Sequence, residues 1–424
     1  MTDRIRSVAV IGDGPAGSTV AALLARRGIR VGLFSRGRPK PPLIGESTVP
    51  ALIPILRELG VEEEVASYSV FKPGATFSVH PGESLAIDFD EVRGRAPGYA
   101  YNVPRDRFDA SLLDVCAKNG TQIFDATARL EKLPGSDARA ERARVRLSPE
   151  TLAETDGFFA TPPDFIVDAT GRSRLIPRVL GLPERQGDRR DTALFAHCTG
   201  VRIDREGHVH TDRLERGWGW RIPLPDRVSV GVVIDPAALQ EFGDRPDAQF
   251  DAIRRSDPTL IESVGRAERI TPVLKFTNYQ LTARRAIGPG WALVGDCLGF
   301  IDPVFSSGVF LAMDGAQRLA AALLNGSANA LERYDRRQRR HVEAWRQAVG
   351  YFYDGRFFAM LRLRNQSHEN WMGRIVSPHA ASHLPRVFTG ESTARVYDRN
   401  LLAAMMRFGL GALEDPDWAR WRIG

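Results

Sequence analysis

Residues 7–37 read SVAVIGDGPAGSTVAALLARRGIRVGLFSRG, and few folds can accept them. An apolar run leads into Gly12-x-Gly14-x-x-Gly17, then an alanine-rich stretch to Arg27, a Gly28 stop and a second apolar run over Arg30–Phe34. The pattern predicts a strand–helix–strand unit. Gly12 makes the tight turn, Gly14 lets backbone approach a pyrophosphate, and Gly17, beside Ala16, allows helix and strand to pack. The helix N-terminus then faces the phosphates, so a dinucleotide site is the chemical consequence.

Such a site normally ends its second strand in an acidic side chain for the ribose hydroxyls. Here Ser35 and Arg36 stand there instead. A serine hydroxyl makes a weaker version of that bond, and an arginine suits adenine stacking or a 2′-phosphate, so NADP stays open at this point. Two later stretches argue for FAD. Phe165–Gly171 (FIVDATG) ends an apolar run in Asp168-x-x-Gly171, and Trp291–Asp296 (WALVGD) ends another in Gly-Asp. With them the chain resembles the FAD-dependent aromatic monooxygenases and their relatives over residues 8–308. The resemblance implies that Asp296 bonds the ribityl chain, that Asp168 and Gly171 border the cofactor, and that Arg105 (VPRDRFDASLL) opens a helix beside the flavin.

Bulk properties exclude several other classes. A chain of 424 residues, 43% hydrophobic and 26% charged, reads as globular, with a large core and an accessory element. Its net charge of +6 is spread along the sequence, without zinc-finger spacing or a recognition-helix pattern, so no nucleic-acid partner is expected. Cys116, Cys198 and Cys297 lie far apart with no CxxC pair, which predicts neither a disulfide nor a metal site and suits the cytoplasm. No run approaches the roughly 20 apolar residues of a membrane span, and the first apolar run is too short for a signal segment.

Three further stretches resemble one family within that group, the flavin-dependent halogenases. The first is Trp218-Gly-Trp220-Arg-Ile222-Pro223, matching the family's WxWxIP signature; two tryptophans two apart on a strand share a face and also suit an ordinary core. The second is Gly45-Glu46-Ser47-Thr48-Val49-Pro50 followed by Lys72. In the family this segment lies over the flavin, and a lysine some two dozen residues on projects into the passage between flavin and substrate. Only five lysines occur in the chain, Lys40, Lys72, Lys118, Lys132 and Lys275, and Lys72 alone has that context. The third is Phe300-x-x-Pro303-x-x-Ser306-Ser307-Gly308, matching the FxxPxxSxG pattern whose backbone amides hold a halide. A turn of small residues leading into a helix offers converging N–H groups without a competing carboxylate. Ser307 and Gly308 are the expected halide donors. Relatives acting on free tryptophan usually carry a glutamate immediately before the serine; Phe305 occupies that position here, which favours phenols and pyrroles.

The resemblance implies an FADH2-dependent halogenase, with reduced FAD supplied by a separate flavin reductase. Oxygen and chloride or bromide are then converted, through a flavin hydroperoxide, to hypohalous acid, which Lys72 orients toward an electron-rich aromatic substrate. That substrate is free or held on an acyl or peptidyl carrier protein. Two rivals stay open: an FAD aromatic hydroxylase or reductase using NAD(P)H directly, and a non-catalytic relative that only binds.

The expected fold is mixed α/β. A Rossmann-like FAD module (1–40, 100–180 and 285–330) interleaves with a substrate-side β-sheet module (41–99 and 181–284), and 331–424 forms a mainly helical tail. The tail opens as a long helix carrying Tyr351, Phe352, Tyr353, Phe357 and Phe358. It is expected either to pack on the core with a solvated arginine face, or to place its aromatics in the substrate cavity or its arginines against an acidic carrier.

Overall fold

A computed structural model describes residues 5–37, 44–80, 82–92, 94–135, 142–187, 189–277, 280–360 and 386–391, with 400 and 423. Residues 38–43, Lys40 among them, and most of the tail beyond Met360 lie outside these residues.

The apolar runs at Ser7–Ile11, Arg30–Ser35, Phe165–Asp168 and Trp291–Leu293 are parallel neighbours, which is why they read as nearly unbroken hydrophobic stretches. Gln122–Asp125 extends this six-stranded sheet on one edge, and Ile287–Gly288 adds an antiparallel strand on the other. The helix Pro15–Ala25 follows the first strand and packs against Arg105–Lys118 and Gly308–Asn325. The turn between the first strand and its helix needs glycine. At Gly12, φ is +107°, and a Cβ there would sit 2.4 Å from the Ala169 carbonyl oxygen.

The second sheet has eight strands. Its order runs Glu268–Arg269, Thr192–Thr199, Val228–Ile234, Gly217–Pro223, Val209–Leu214, Gly74–His80 and Glu83–Asp88, with Leu274–Thr277 also on the Thr192–Thr199 strand. Only the Val209–Leu214 and Gly74–His80 pair is parallel, as the long connection between those two strands permits. The expected α/β architecture is therefore present.

The tail begins with the helix Ala328–Tyr353. Trp345, Phe352, Phe357 and Phe358 are buried, whereas Arg333, Arg336, Arg337 and Arg340 are exposed. The packing expectation describes this part of the tail; none of its five named aromatics lines the main cleft.

Candidate active site

One cleft of about 870 Å³ runs from the glycine turn to the face of the eight-stranded sheet. It lies at the upper end of small-molecule sites. At one end it is lined by Gly12, Asp13, Gly14, Ala16, Arg36 and Gly171, and at the other by Trp218, Trp220 and Ile222, with Asp296, Phe300, Pro303, Ser306 and Gly308 between. A Cβ on Gly14 would meet nothing within 4 Å, so the backbone there is open to an approaching group. Gly17 lies behind this surface, where its missing side chain accommodates the Gly12 carbonyl.

Three arginines shape the middle of the cleft. Arg105, the first residue of its helix, is pinned by the Ile44 carbonyl at 2.7 Å and by Asp109 on the next turn. Arg172 also lines the cleft, with its guanidinium over the rings of Phe300 at 5.3 Å and Phe276 at 5.8 Å. Arg174 is buried just behind. Asp296 opens on the cleft and has no hydrogen-bond or ion-pair partner among the described residues. Loss of water raises its pKa to about 6, against the lowering pull of those arginines. An unengaged carboxylate is the acceptor a polyhydroxyl chain needs. Ser47 Oγ is a second unpartnered polar atom at the same cleft. An extended cofactor with a phosphate bridge and a ribityl chain fits this set of residues.

Trp218, Trp220 and Ile222 are successive same-face positions of one strand and meet the cleft together. Trp220 stands opposite Gly231, where any Cβ would lie 2.1 Å from the indole. Pro223 ends the strand. Trp218 Nε1 donates to Tyr353 Oη at 2.9 Å, and that hydroxyl donates to Asp302 Oδ2 at 2.8 Å, so a tail residue ties the signature strand to the 300–308 loop.

That loop is built around one strained residue. Pro303–Phe305 form a single 3-10 turn, closed by Asp302 accepting from the Val304 amide, and Ser306 then adopts a left-handed conformation with φ of 55°. This reversal starts the helix Gly308–Asn325 at the cleft, with Ser307 as its N-cap and no side-chain cap. The first-turn amides of a helix lack internal partners. The loop's one carboxylate, Asp302, does not line the cleft; it accepts from Tyr353, and burial lifts its pKa to about 7. Phe305 is buried against Trp345, Phe352, Phe357 and Phe388.

Lys72 is wholly buried but does not reach the cleft surface. Its strand Val70–Lys72 pairs with Ala100–Asn102, which also bridges to Ser47, so the Glu46–Thr48 segment lies close by. The ammonium donates to the Thr48 carbonyl at 2.7 Å and stands 5.3 Å from the Phe89 ring centroid. Desolvation lowers its pKa to about 7. Two of its three N–H donors remain beyond the Thr48 bond.

Three expected cofactor contacts are corrected by the geometry. Glu46 turns its carboxylate from the cleft to His197 Nε2, at 2.8 Å, leaving Gly45 and Ser47 as the lining residues. Asp168 is fully buried, accepting from Thr170 and from the Ile176 amide at 2.6 Å, and so holds the turn after its strand. Ser35 does not line the cleft; its hydroxyl donates to Asp13 Oδ2 at 2.7 Å. Asp13 and Arg172 line the cleft and His197 bonds Glu46 beside it, none of them singled out in the sequence. Tyr353, a candidate cavity aromatic in the sequence, instead links Trp218 to Asp302. The three cysteines are buried free thiols, and no cluster of metal-ligating side chains occurs among the described residues.

With this geometry in hand, comparison with known proteins is specific. The family described as Tryptophan halogenase matches residues 7–93 and 90–357. The chain is 31% identical over 362 residues to the Tryptophan 2-halogenase of Chondromyces crocatus, across 82% of this chain and 67% of that protein. It is 26% identical over 391 residues to the 1H-pyrrole-2-carbonyl-(peptidyl-carrier protein) chlorinase of Pseudomonas fluorescens, across 83% and 84%. Among solved structures it resembles the myxobacterial chondrochloren halogenase, an FAD-dependent halogenase, with a TM-score of 0.71 and 26% identity over 97% of this chain and 99% of that one.

Proposed function

Because the chain belongs to the tryptophan-halogenase family of flavin-dependent halogenases, we propose that it installs chlorine or bromine on an electron-rich phenol or pyrrole, free or carrier-bound. Bound FAD, reduced by a separate flavin reductase, would supply the oxygen chemistry that oxidises the halide. One observation carries the reading: the start of the Gly308–Asn325 helix, behind the strained Ser306, opens on the same cleft as the glycine turn and the Trp218–Ile222 face. A halide there meets helix amides, and the loop's own carboxylate, Asp302, does not line the cleft. Gly12, Gly14 and Ala16 receive the pyrophosphate, and Asp296 the ribityl hydroxyls. Arg105 and Arg172 contribute positive charge near the flavin. Lys72, buried beneath the Ser47–Thr48 turn and outside the cleft wall, is the residue assigned to bond the oxidised halogen, a role that requires its ammonium to turn from the Thr48 carbonyl toward the cleft.

Phe305 in its aromatic cluster supports phenol or pyrrole, because this position holds a ring in place of a carboxylate that could act as base on a less reactive substrate. The relative named for tryptophan supports free tryptophan as the second reading. Mass spectrometry distinguishes them. Phenols, a pyrrole-2-carbonyl pantetheine thioester and tryptophan are incubated with the protein, FAD, a flavin reductase, NADH, oxygen and bromide or chloride. Halogen isotope patterns on the phenols or the thioester that vanish with Lys72→Ala are expected. Halogenated tryptophan alone favours the second reading; a hydroxylated product, or NAD(P)H consumed without the reductase, rejects both.

A further inference from the structure

Ser35 leaves a problem at the adenosine end of the cleft. Dinucleotide folds place a carboxylate at the end of the second strand to accept from the ribose hydroxyls, and this chain has a serine there. Nor is that serine available as a donor to the ribose, because its one hydroxyl hydrogen is committed to Asp13 Oδ2 at 2.7 Å.

We infer that Asp13 has taken over the role: the ribose-accepting carboxylate has moved from the strand end into the glycine turn, and Ser35 is the residue that positions it. The inference rests on the FAD reading of the same cleft. Asp13 occupies the variable position between Gly12 and Gly14 and lines the cleft beside Arg36 and Gly37. Ala126, Thr127 and Ala128 line the same cleft, and Ala126 donates its amide to the Ser35 carbonyl at 2.9 Å. Both members of the Asp13–Ser35 pair are buried, so the bond between them is shielded from water and fixes the carboxylate orientation. A carboxylate offers about four lone-pair sites, and the Ser35 bond takes one of them. The negative charge also sets a preference. An adenosine 2′-phosphate would be brought against a carboxylate, which opposes NADP despite the adjacent Arg36.

The test is equilibrium flavin binding to the flavin-free protein, read by fluorescence quenching with FAD and separately with FMN, which has no adenosine. Asp13→Ala is expected to weaken FAD about tenfold or more, the scale of a lost hydrogen bond to a charged group, while FMN binding is unchanged. Ser35→Ala is expected to weaken FAD less and in the same selective way. Moving the carboxylate back, in Asp13→Gly with Ser35→Glu, is expected to restore most of the FAD affinity. Unchanged FAD binding in Asp13→Ala overturns the assignment, as does an equal loss for FAD and FMN, which marks a damaged turn. Failure of the double variant to recover affinity while it melts like wild type also overturns it. A wild-type protein that binds neither flavin removes the FAD reading itself.

Discussion

Replacing Lys72 with methionine tests whether its amine is held out of water. The pKa falls from 10.5 to about 7 because the side chain is wholly desolvated. At about 1.36 kcal/mol per pH unit, that corresponds to on the order of 5 kcal/mol against the folded state wherever both states are charged. The sign follows from proton counting. The unfolded chain keeps this proton up to its ordinary pKa of 10.5, the folded chain only up to about 7, so this group makes wild-type stability rise with pH between those values. Below that window the penalty is present in full; above it, none remains. Methionine removes the charge at similar length but withdraws the donor from the Thr48 carbonyl, which costs about 1–3 kcal/mol. Lys72→Met should therefore exceed wild type by roughly 2–4 kcal/mol near pH 6 and fall level or below by about pH 10. Urea unfolding followed by tryptophan fluorescence across this range measures both curves. A difference that stays constant with pH refutes the argument.

Ser306 is a non-glycine residue in the left-handed region. Ser306→Gly should stay within about 1 kcal/mol of wild type in thermal melts, whereas Ser306→Val should lose about 1–3 kcal/mol. Tyr353→Phe leaves Trp218 Nε1 and Asp302 without the hydroxyl that joins them. It should cost about 1–3 kcal/mol in urea unfolding and shift tryptophan emission, and an unchanged emission would mean that the indole contact carries nothing.

The parts of this site that were legible in the sequence are those where backbone, rather than side-chain direction, carries the meaning. The glycine turn is one, since only a residue without Cβ fits against Ala169, and the alternating Trp218, Trp220 and Ile222 face is another. Glu46, Asp168 and Ser35 were misread for a common reason. A motif gives a position along the chain, whereas the carboxylate or hydroxyl takes whichever partner the tertiary fold brings near: His197 from a strand 151 residues away, the Ile176 amide, or Asp13. Asp13 had a visible signal, an acid inside the glycine motif of a chain lacking one at the next strand end. Tyr353 stood out only as one of the tail aromatics; its pairing had no signal, because its partners lie 135 and 51 residues earlier and no local period links them.

The interleaving of the two sheets also governs how the molecule is made. The Pro15–Ala25 helix rests on Gly308–Asn325, and one of the first strand's two neighbours in the sheet is Phe165–Asp168. At about 5–20 residues per second, a ribosome needs on the order of 15 seconds to a minute to pass from one helix to the other. Throughout that interval the glycine turn has been synthesised but lacks one wall. A complete cleft is thus a late product of synthesis, and a fragment ending before Gly308 lacks the helix against which Pro15–Ala25 packs.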